Sequence, residues 1–284
     1  MKINTWTNNE IELLIKHFSN DGIQKCLEVI NYPESKIRRM AHKLGLKINK
    51  NVKKKYTGKS NDKCNVNPNL FYNINTKEVS YLLGLIWADG FFNSSKNGKN
   101  HNFGITMIKN DIDKIKNVLN TIGKWYYYER NHLIGTWKPS VNVMTNNKRI
   151  FNFLIDHDYD KKSYVSADKI LSKIPNELKH YFFRGLIDGD GCFYYRSKID
   201  STIRQFTITS TYNQDWSYVE DIFKYLNIKY NIKRTYNTKS SYSIIRITNK
   251  NGIIKFGDYV YSNYDDDEIG LNRKYDKYMQ IKNS

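Results

Sequence analysis

The sequence predicts an α+β protein: two pseudo-symmetric halves, each running helix, two strands, helix, two strands, helix, behind a small all-helical N-terminal unit. Residues 82–90 read LLGLIWADG and residues 183–191 read FRGLIDGDG, 101 positions apart, and both close on Asp-Gly after Gly-Leu-Ile. The segments downstream of the two copies recur as well. NFGITMI answers RQFTITS, so that Phe103-Gly104-Ile105-Thr106 corresponds to Phe206-Thr207-Ile208-Thr209, and an amphipathic helix comes after each strand. A repeat near 100 residues marks a duplicated domain rather than a solenoid. The first 46 residues stand outside the repeat and carry helical periodicity throughout.

In that N-terminal stretch, Thr7 is a natural N-cap with Glu10 in capping-box position, followed by Ile11, Leu14, Ile15 and Phe18 at helical spacing. A second short helix fits Gly22–Ile30. After Pro33, Ile37, Met40, Ala41 and Leu44 face one way and Lys36, Arg38, Arg39 and Lys43 the other, with Gly45 as the stop. Three short helices with a basic third one resemble a helix-turn-helix or Myb-like DNA-binding unit, assigned to residues 1–46. Residues 47–76 read as a linker, rich in lysine (Lys53, Lys54 and Lys55 among them) and too poor in apolar residues to bury a core. The halves are expected at 77–175 and 176–284.

Composition narrows the function. The chain has 284 residues, a net charge of +18 and 23 tyrosines, a balance that points to a polyanionic partner, nucleic acid first. No apolar run is long enough for a membrane span. Cys26, Cys64 and Cys192 are isolated, so neither a disulfide framework nor a structural zinc site is indicated, and the expected compartment is reducing, cytoplasmic or organellar, not secreted. The six histidines (17, 42, 101, 132, 157, 180) show no zinc spacing; His157 and His180 read as structural or surface residues.

The chemistry lies in the duplicated nonamers. Gly84 and Ala88 lie four apart, as do Gly185 and Gly189, so each helix carries a small-residue stripe that lets two backbones approach closely. Leu82, Leu85 and Ile86, with Phe182, Leu186 and Ile187, would seal the two helices into their half-cores. Gly90 and Gly191 are expected to end the helices in the left-handed conformation. Asp89 and Asp190 then meet at two helix C-termini, where the dipole disfavours an anion, and a divalent cation such as Mg²⁺ is the natural compensation.

Both nonamers resemble the motif of the LAGLIDADG homing endonucleases, and the closing LNRKYDKY resembles the end of many two-motif, monomeric members; the likeness spans residues 67–284. It implies that Asp89 and Asp190 are the catalytic acids and share two or more Mg²⁺ ions, the part of the backbone at Ala88 being left open. It also implies a basic residue from each half near the site, for which Lys148 and Lys250 are the candidates. Trp87 and Asp188 differ at the sixth letter, and Asp188 reads as structural, bonding nearby backbone. The two sheets would form a saddle over the DNA major groove. Candidate contacts are Asn102, Thr106, Lys109, Trp137, Lys138, Asn142, Arg196, Lys198, Arg204, Gln205, Thr207, Arg234, Tyr242 and Arg246, with Lys36, Arg38, Arg39, Lys43, Lys53, Lys54 and Lys55 from the N-terminal region. The implied activity is metal-dependent double-strand cleavage at a long asymmetric target by a monomer that binds double-stranded DNA and needs no protein partner. An RNA maturase that binds intron RNA, or a DNA-binding regulator that does not cut, are the alternatives.

Overall fold

The computed structural model describes residues 6–49, 64–94, 101–130, 139–198, 201–237 and 240–284. It divides into two compact units, residues 1–63 and residues 64–284. In the first, helices α1 (Asn8–Phe18), α2 (Ile23–Val29) and α3 (Glu34–Lys43) follow the sequence pattern. The Thr7–Glu10 capping box is reciprocal: Thr7 Oγ1 accepts from the Glu10 amide at 3.3 Å, and the Glu10 carboxylate accepts from the Thr7 amide at 2.8 Å. Two amides that the helix leaves without partners are thereby satisfied. Leu14, Phe18, Ile23, Cys26, Ile30, Ile37 and Ala41 close a separate small core.

The second unit begins before residue 77, where the linker was expected to end. Strand β1 (Asn65–Val66) pairs with β4 (Gly123–Lys124), α4 spans Asn69–Tyr72, and Val66, Phe71 and Ile74 are buried in the main core. A segment with so few apolar residues cannot form a core of its own, but it can dock on one that other elements supply.

The first half then runs α5 (Lys77–Asp89), β2 (Gly90–Ser94), β3 (His101–Ile108), α6 (Lys109–Ile122), β5 (Tyr126–Arg130), β6 (Ser140–Thr145) and α7 (Lys148–Asp156). Short α8 (Asp168–Leu171) lies in the connection. The second half repeats the order with α9 (Lys179–Asp190), β7 (Gly191–Lys198), β8 (Ser201–Thr211), α10 (Ser217–Tyr225), β9 (Asn231–Tyr236), β10 (Ser241–Ile247) and α11 (Lys250–Val260), then adds α12 (Tyr264–Asp267) and α13 (Asn272–Lys282). The two four-stranded antiparallel sheets have the same topology, β2-β3-β6-β5 and β7-β8-β10-β9. Each buries one apolar face. Phe103, Ile105, Met107, Val141 and Val143 in one, and Phe193, Phe206, Ile208, Ile245 and Ile247 in the other, turn inward to the core. Because side chains alternate along a strand, the intervening residues form the outer face of each sheet.

Helices α5 and α9 pack against each other at the centre, and glycine makes that possible. A Cβ on Gly84 would overlap the carbonyl of Phe182, and one on Gly185 would overlap the carbonyl of Tyr81. Gly90 and Gly191 do not behave as the sequence implied. Both adopt ordinary extended geometry, with φ of −68° and −75°. Glycine is needed there because a Cβ would run into Ile86 or Ile187 one turn back.

Candidate active site and nucleic-acid interface

The close helix crossing carries Asp89 and Asp190 to one place. Each acid is the last residue of its helix. A Cβ on Gly189 would meet the Ala88 methyl and lie 3.1 Å from Asp89 Oδ2, so Asp89 reaches over the end of the opposing helix. Loss of hydration raises the pKa of Asp89, against the pull of Lys162, Lys274 and Arg273. Asp190 stands at the solvent edge. Its carboxyl is nonetheless pushed up to about 6, first by the protein packed around it and then by the charge of Asp89, with Lys162 and Lys274 opposing. Two carboxylates raised above their usual range at helix C-termini, one of them by the charge of the other, are an anion pair short of positive charge.

The lysines that face them are not those the sequence nominated. Lys148 lies at the exposed start of α7, and Lys250, the first residue of α11, donates to the carbonyl of Ser284. Each begins a helix just after its last strand, and neither has a described contact with Asp89 or Asp190. Instead Lys162, from the loop after α7, donates to the carbonyls of Ile86 (3.1 Å) and Ala88, and Lys274, in the first turn of α13, donates to that of Gly191. One lysine thus closes the end of each motif. Burial lowers Lys162 to about 8 in spite of Asp190 and Asp89, and burial followed by Arg273 lowers Lys274. Nothing in local periodicity separates Lys162 from Lys161; Lys274 stands in the LNRKYDKY stretch but had no role there. A cavity of about 40 Å³, lined in part by Trp87, Lys162, Ser163, Asp190 and Gln214, lies beside Asp190 and is roomy enough for water.

Asp188, the other acid of the second motif, is structural, but its partners are distant in sequence. It is 1% exposed, and its Oδ2 accepts from the Tyr81 hydroxyl and from the Leu271 amide, both at 2.8 Å. It therefore bridges the halves. Burial pushes it up to about 7 from the usual 3.8, above its value in the unfolded chain. The associated stabilisation is complete below the unfolded value and is lost as pH rises through 7. Wild type is accordingly expected to lose thermal stability relative to Asp188→Asn between about pH 5 and about pH 8. A pH-independent gap between the two melting curves would refute this.

Strand register sorts the candidate DNA contacts. Arg196, Gln205, Thr207, Tyr242 and Arg246 lie on the outer face of the second sheet, where Gln205, Thr207 and Arg246 share a hollow with Asn231, Lys233 and Ile244. Lys198 has the same strand parity. Arg204 and Arg234 do not: Arg204 falls on the inner face and donates to Ser284 Oγ at 2.9 Å, and Arg234 folds back onto the carbonyls of Tyr212 and Gln214. A one-residue shift in parity reverses the face, which composition cannot reveal. In the first sheet Asn102 and Thr106 are outward. Asn142 is buried, held by the Thr106 hydroxyl at 2.9 Å, and Lys109 pairs with Glu129 at 3.0 Å. Exposed Tyr126, Tyr128 and Arg130, which sequence reasoning missed, share that outer face. In α3, Lys36 lies over the Tyr32 ring and Arg38 pairs with Glu34 at 2.6 Å, whereas Arg39 and Lys43 are exposed. Lys53, Lys54, Lys55, Trp137 and Lys138 lie outside the described residues.

Among the described residues no group of three or more His, Cys, Asp or Glu side chains forms a metal cluster, and no helix is long and apolar enough to cross a membrane. Two carboxylates suit Mg²⁺, which takes one or two protein carboxylates and keeps its other positions for water and phosphate.

Solved structures similar to this chain include the homing endonuclease I-WcaI bound to its DNA recognition sequence (18% identity, 84% of this chain and 96% of that chain, TM-score 0.48). The meganuclease I-SmaMI bound to uncleaveable DNA is also similar (16%, 72% and 88%, TM-score 0.49), as is the I-LtrWI LAGLIDADG homing endonuclease bound to target DNA (15%, 72% and 89%, TM-score 0.49). No curated protein sequence matches. The family model described as the LAGLIDADG DNA endonuclease family matches residues 79–254, from the first motif helix into α11. With that match over more than half of its length, the chain belongs to the LAGLIDADG DNA endonuclease family.

Proposed function

We propose that this chain is a Mg²⁺-dependent endonuclease that cuts both strands of a long, asymmetric DNA site, with Asp89 and Asp190 as its catalytic acids. The observation that carries this reading is the convergence of the two acids at the ends of crossed helices, faced by Lys162 and Lys274. Asp89 and Asp190 would hold the metal, which when bound activates water and stabilises the leaving oxygen of an in-line displacement. Lys162 and Lys274 compensate negative charge at the scissile phosphates, and the cavity beside Asp190 admits water to the reacting centre. The outer sheet faces read the target. The two faces mix the same residue types but set them in different positions, Asn102, Thr106, Tyr126, Tyr128 and Arg130 on one and Arg196, Gln205, Thr207, Tyr242 and Arg246 on the other, which matches two different half-sites rather than a palindrome.

The test is incubation with the genomic DNA that flanks the gene, with Mg²⁺ or with Ca²⁺. Mg²⁺-dependent double-strand breaks at a single locus support the reading; binding without cutting under every divalent ion tried would leave a DNA-binding regulator.

In this reading the N-terminal unit extends the contacted site through α3, which carries four cations against Glu34 alone. Arg39 and Lys43, exposed on α3, are the contacts. The Arg39→Ala/Lys43→Ala variant is expected to lose protection at one end of the footprint. Its salt dependence, as the slope of log affinity against log salt, should be shallower by about 2. An unchanged footprint and slope would remove this unit from the DNA.

A further inference from the structure

We infer that residues 267–274, from the end of α12 into the first turn of α13, form a positioning strap that holds Lys274 at the active site, and that the Asp111–Arg273 pair is its anchor on the opposite half. This rests on the nuclease reading above. The strap lies along the helix pair and is bound at each step. Asp267 accepts from Arg184 Nη1 at 3.0 Å and from the Tyr181 hydroxyl, and Ile269 O accepts from the same Arg184 nitrogen at 2.9 Å. Arg184 is fully buried, and besides the strap it meets the Val260 carbonyl at 2.9 Å and the Tyr181 ring; Asp267 is the carboxylate that pairs with it directly. Gly270, at φ +131°, passes so close to α9 that a Cβ would lie 2.9 Å from Asp188 Oδ2. Leu271 then donates its amide to that same oxygen.

Arg273 and Lys274 come next, in the first turn of α13. Neighbours on a helix point about 100° apart, so one reaches the first half while the other faces the acids. Arg273 grips Asp111 of α6 with its fork, Nη2 to Oδ2 at 2.6 Å and Nε to Oδ1 at 3.0 Å. A two-point planar contact sets orientation as well as distance. The need for such an anchor is specific to this half. Lys162 is gripped by two carbonyls of α5, but the one hydrogen bond described for the Lys274 ammonium is to Gly191 O. A flexible lysine stem delivers charge to a fixed point only if its backbone is held. Asp111 has no described hydrogen bond to Asp89 or Asp190; its charge raises Asp89 while that of its partner Arg273 lowers it, and its hold on Lys274 runs through Arg273 and the strap.

The experiment is single-turnover cleavage at saturating DNA in Mg²⁺, with affinity measured separately in Ca²⁺, for wild type, Asp111→Ala, Asp111→Glu, Lys274→Ala and the Asp111→Ala/Lys274→Ala double variant. Asp111→Ala is expected to slow cleavage about 100-fold, as a displacement near 1 Å does. Its affinity should stay within about threefold of wild type, the signature of a lost transition-state interaction. Asp111→Glu should recover most of the rate. The double variant should be no slower than Lys274→Ala, because the two residues act as one unit. Should Asp111→Ala fail to fold, Arg273→Lys keeps the charge without the fork and should show the same loss of rate at unchanged affinity. Cleavage by Asp111→Ala at the wild-type rate, or losses that multiply in the double variant, would overturn the strap. A wild type that binds without cutting would instead overturn the nuclease reading, and this one with it.

Discussion

Asp89→Asn and Asp190→Asn are each expected to abolish double-strand cleavage, by on the order of 10³-fold or more, while binding DNA at least as tightly as wild type. Asparagine keeps the shape but removes the anion that a divalent cation requires. Binding is expected to survive because the proposed DNA contacts lie on the outer sheet faces, away from the two acids. It can improve because one fewer negative charge then faces the phosphates. The same physics predicts a stability effect. In the absence of metal each acid sits at an unfavourable helix end; Asp89 is raised by lost hydration, and Asp190, though at the solvent edge, by the protein packed around it and by Asp89. Either asparagine variant should therefore melt no lower than wild type, the pattern of an active site that carries unfavourable charge for the sake of function. Plasmid cleavage, affinity in Ca²⁺ and a thermal melt check all three. A variant that still makes double-strand breaks near the wild-type rate would sink the shared-acid mechanism.

Gly84→Ala and Gly185→Ala should be more damaging to the fold than the loss of either acid. One methyl group at residue 84 would overlap the Phe182 carbonyl, and one at residue 185 the Tyr81 carbonyl. Both obstacles are backbone, which cannot swing aside as a side chain would. The helices must separate, and with them the packing of Leu82, Leu85, Phe182 and Leu186, all buried. Overpacking of a well-filled core costs roughly 1–3 kcal/mol, and a clash between two backbones belongs at or above the top of that range. Denaturant titration of each variant measures it. A change below about 1 kcal/mol would show that the helices do not depend on this approach.

The N-cap at Thr7, the paired nonamers and the order of elements in each half were all legible in the residues themselves. These are local or periodic properties: a cap acts within one turn, apolar spacing selects helix or strand, and a duplicated sequence implies a duplicated fold. The small residues at 84, 88, 185 and 189 even announced which faces meet. Features that depend on register or on distant partners were not legible. Gln205 and Arg204 are neighbours in sequence, yet one lies on the outer face and the other is tied to Ser284, because a strand alternates its faces residue by residue. Lys162 and Lys274 reach the acids from a loop and a terminal helix, whereas Lys148 and Lys250, closer to the expected pattern, do not. Asp188 reads as structural from the sequence, but its partners, Tyr81 and Leu271, lie 107 and 83 residues away rather than in the nearby backbone expected. Which two carboxylates must meet could be read from the residues alone, since a repeated local pattern names them. Which cations meet them, and which strand residues face outward, was set only by packing between elements far apart in the chain, where no local energy term distinguishes one lysine from another.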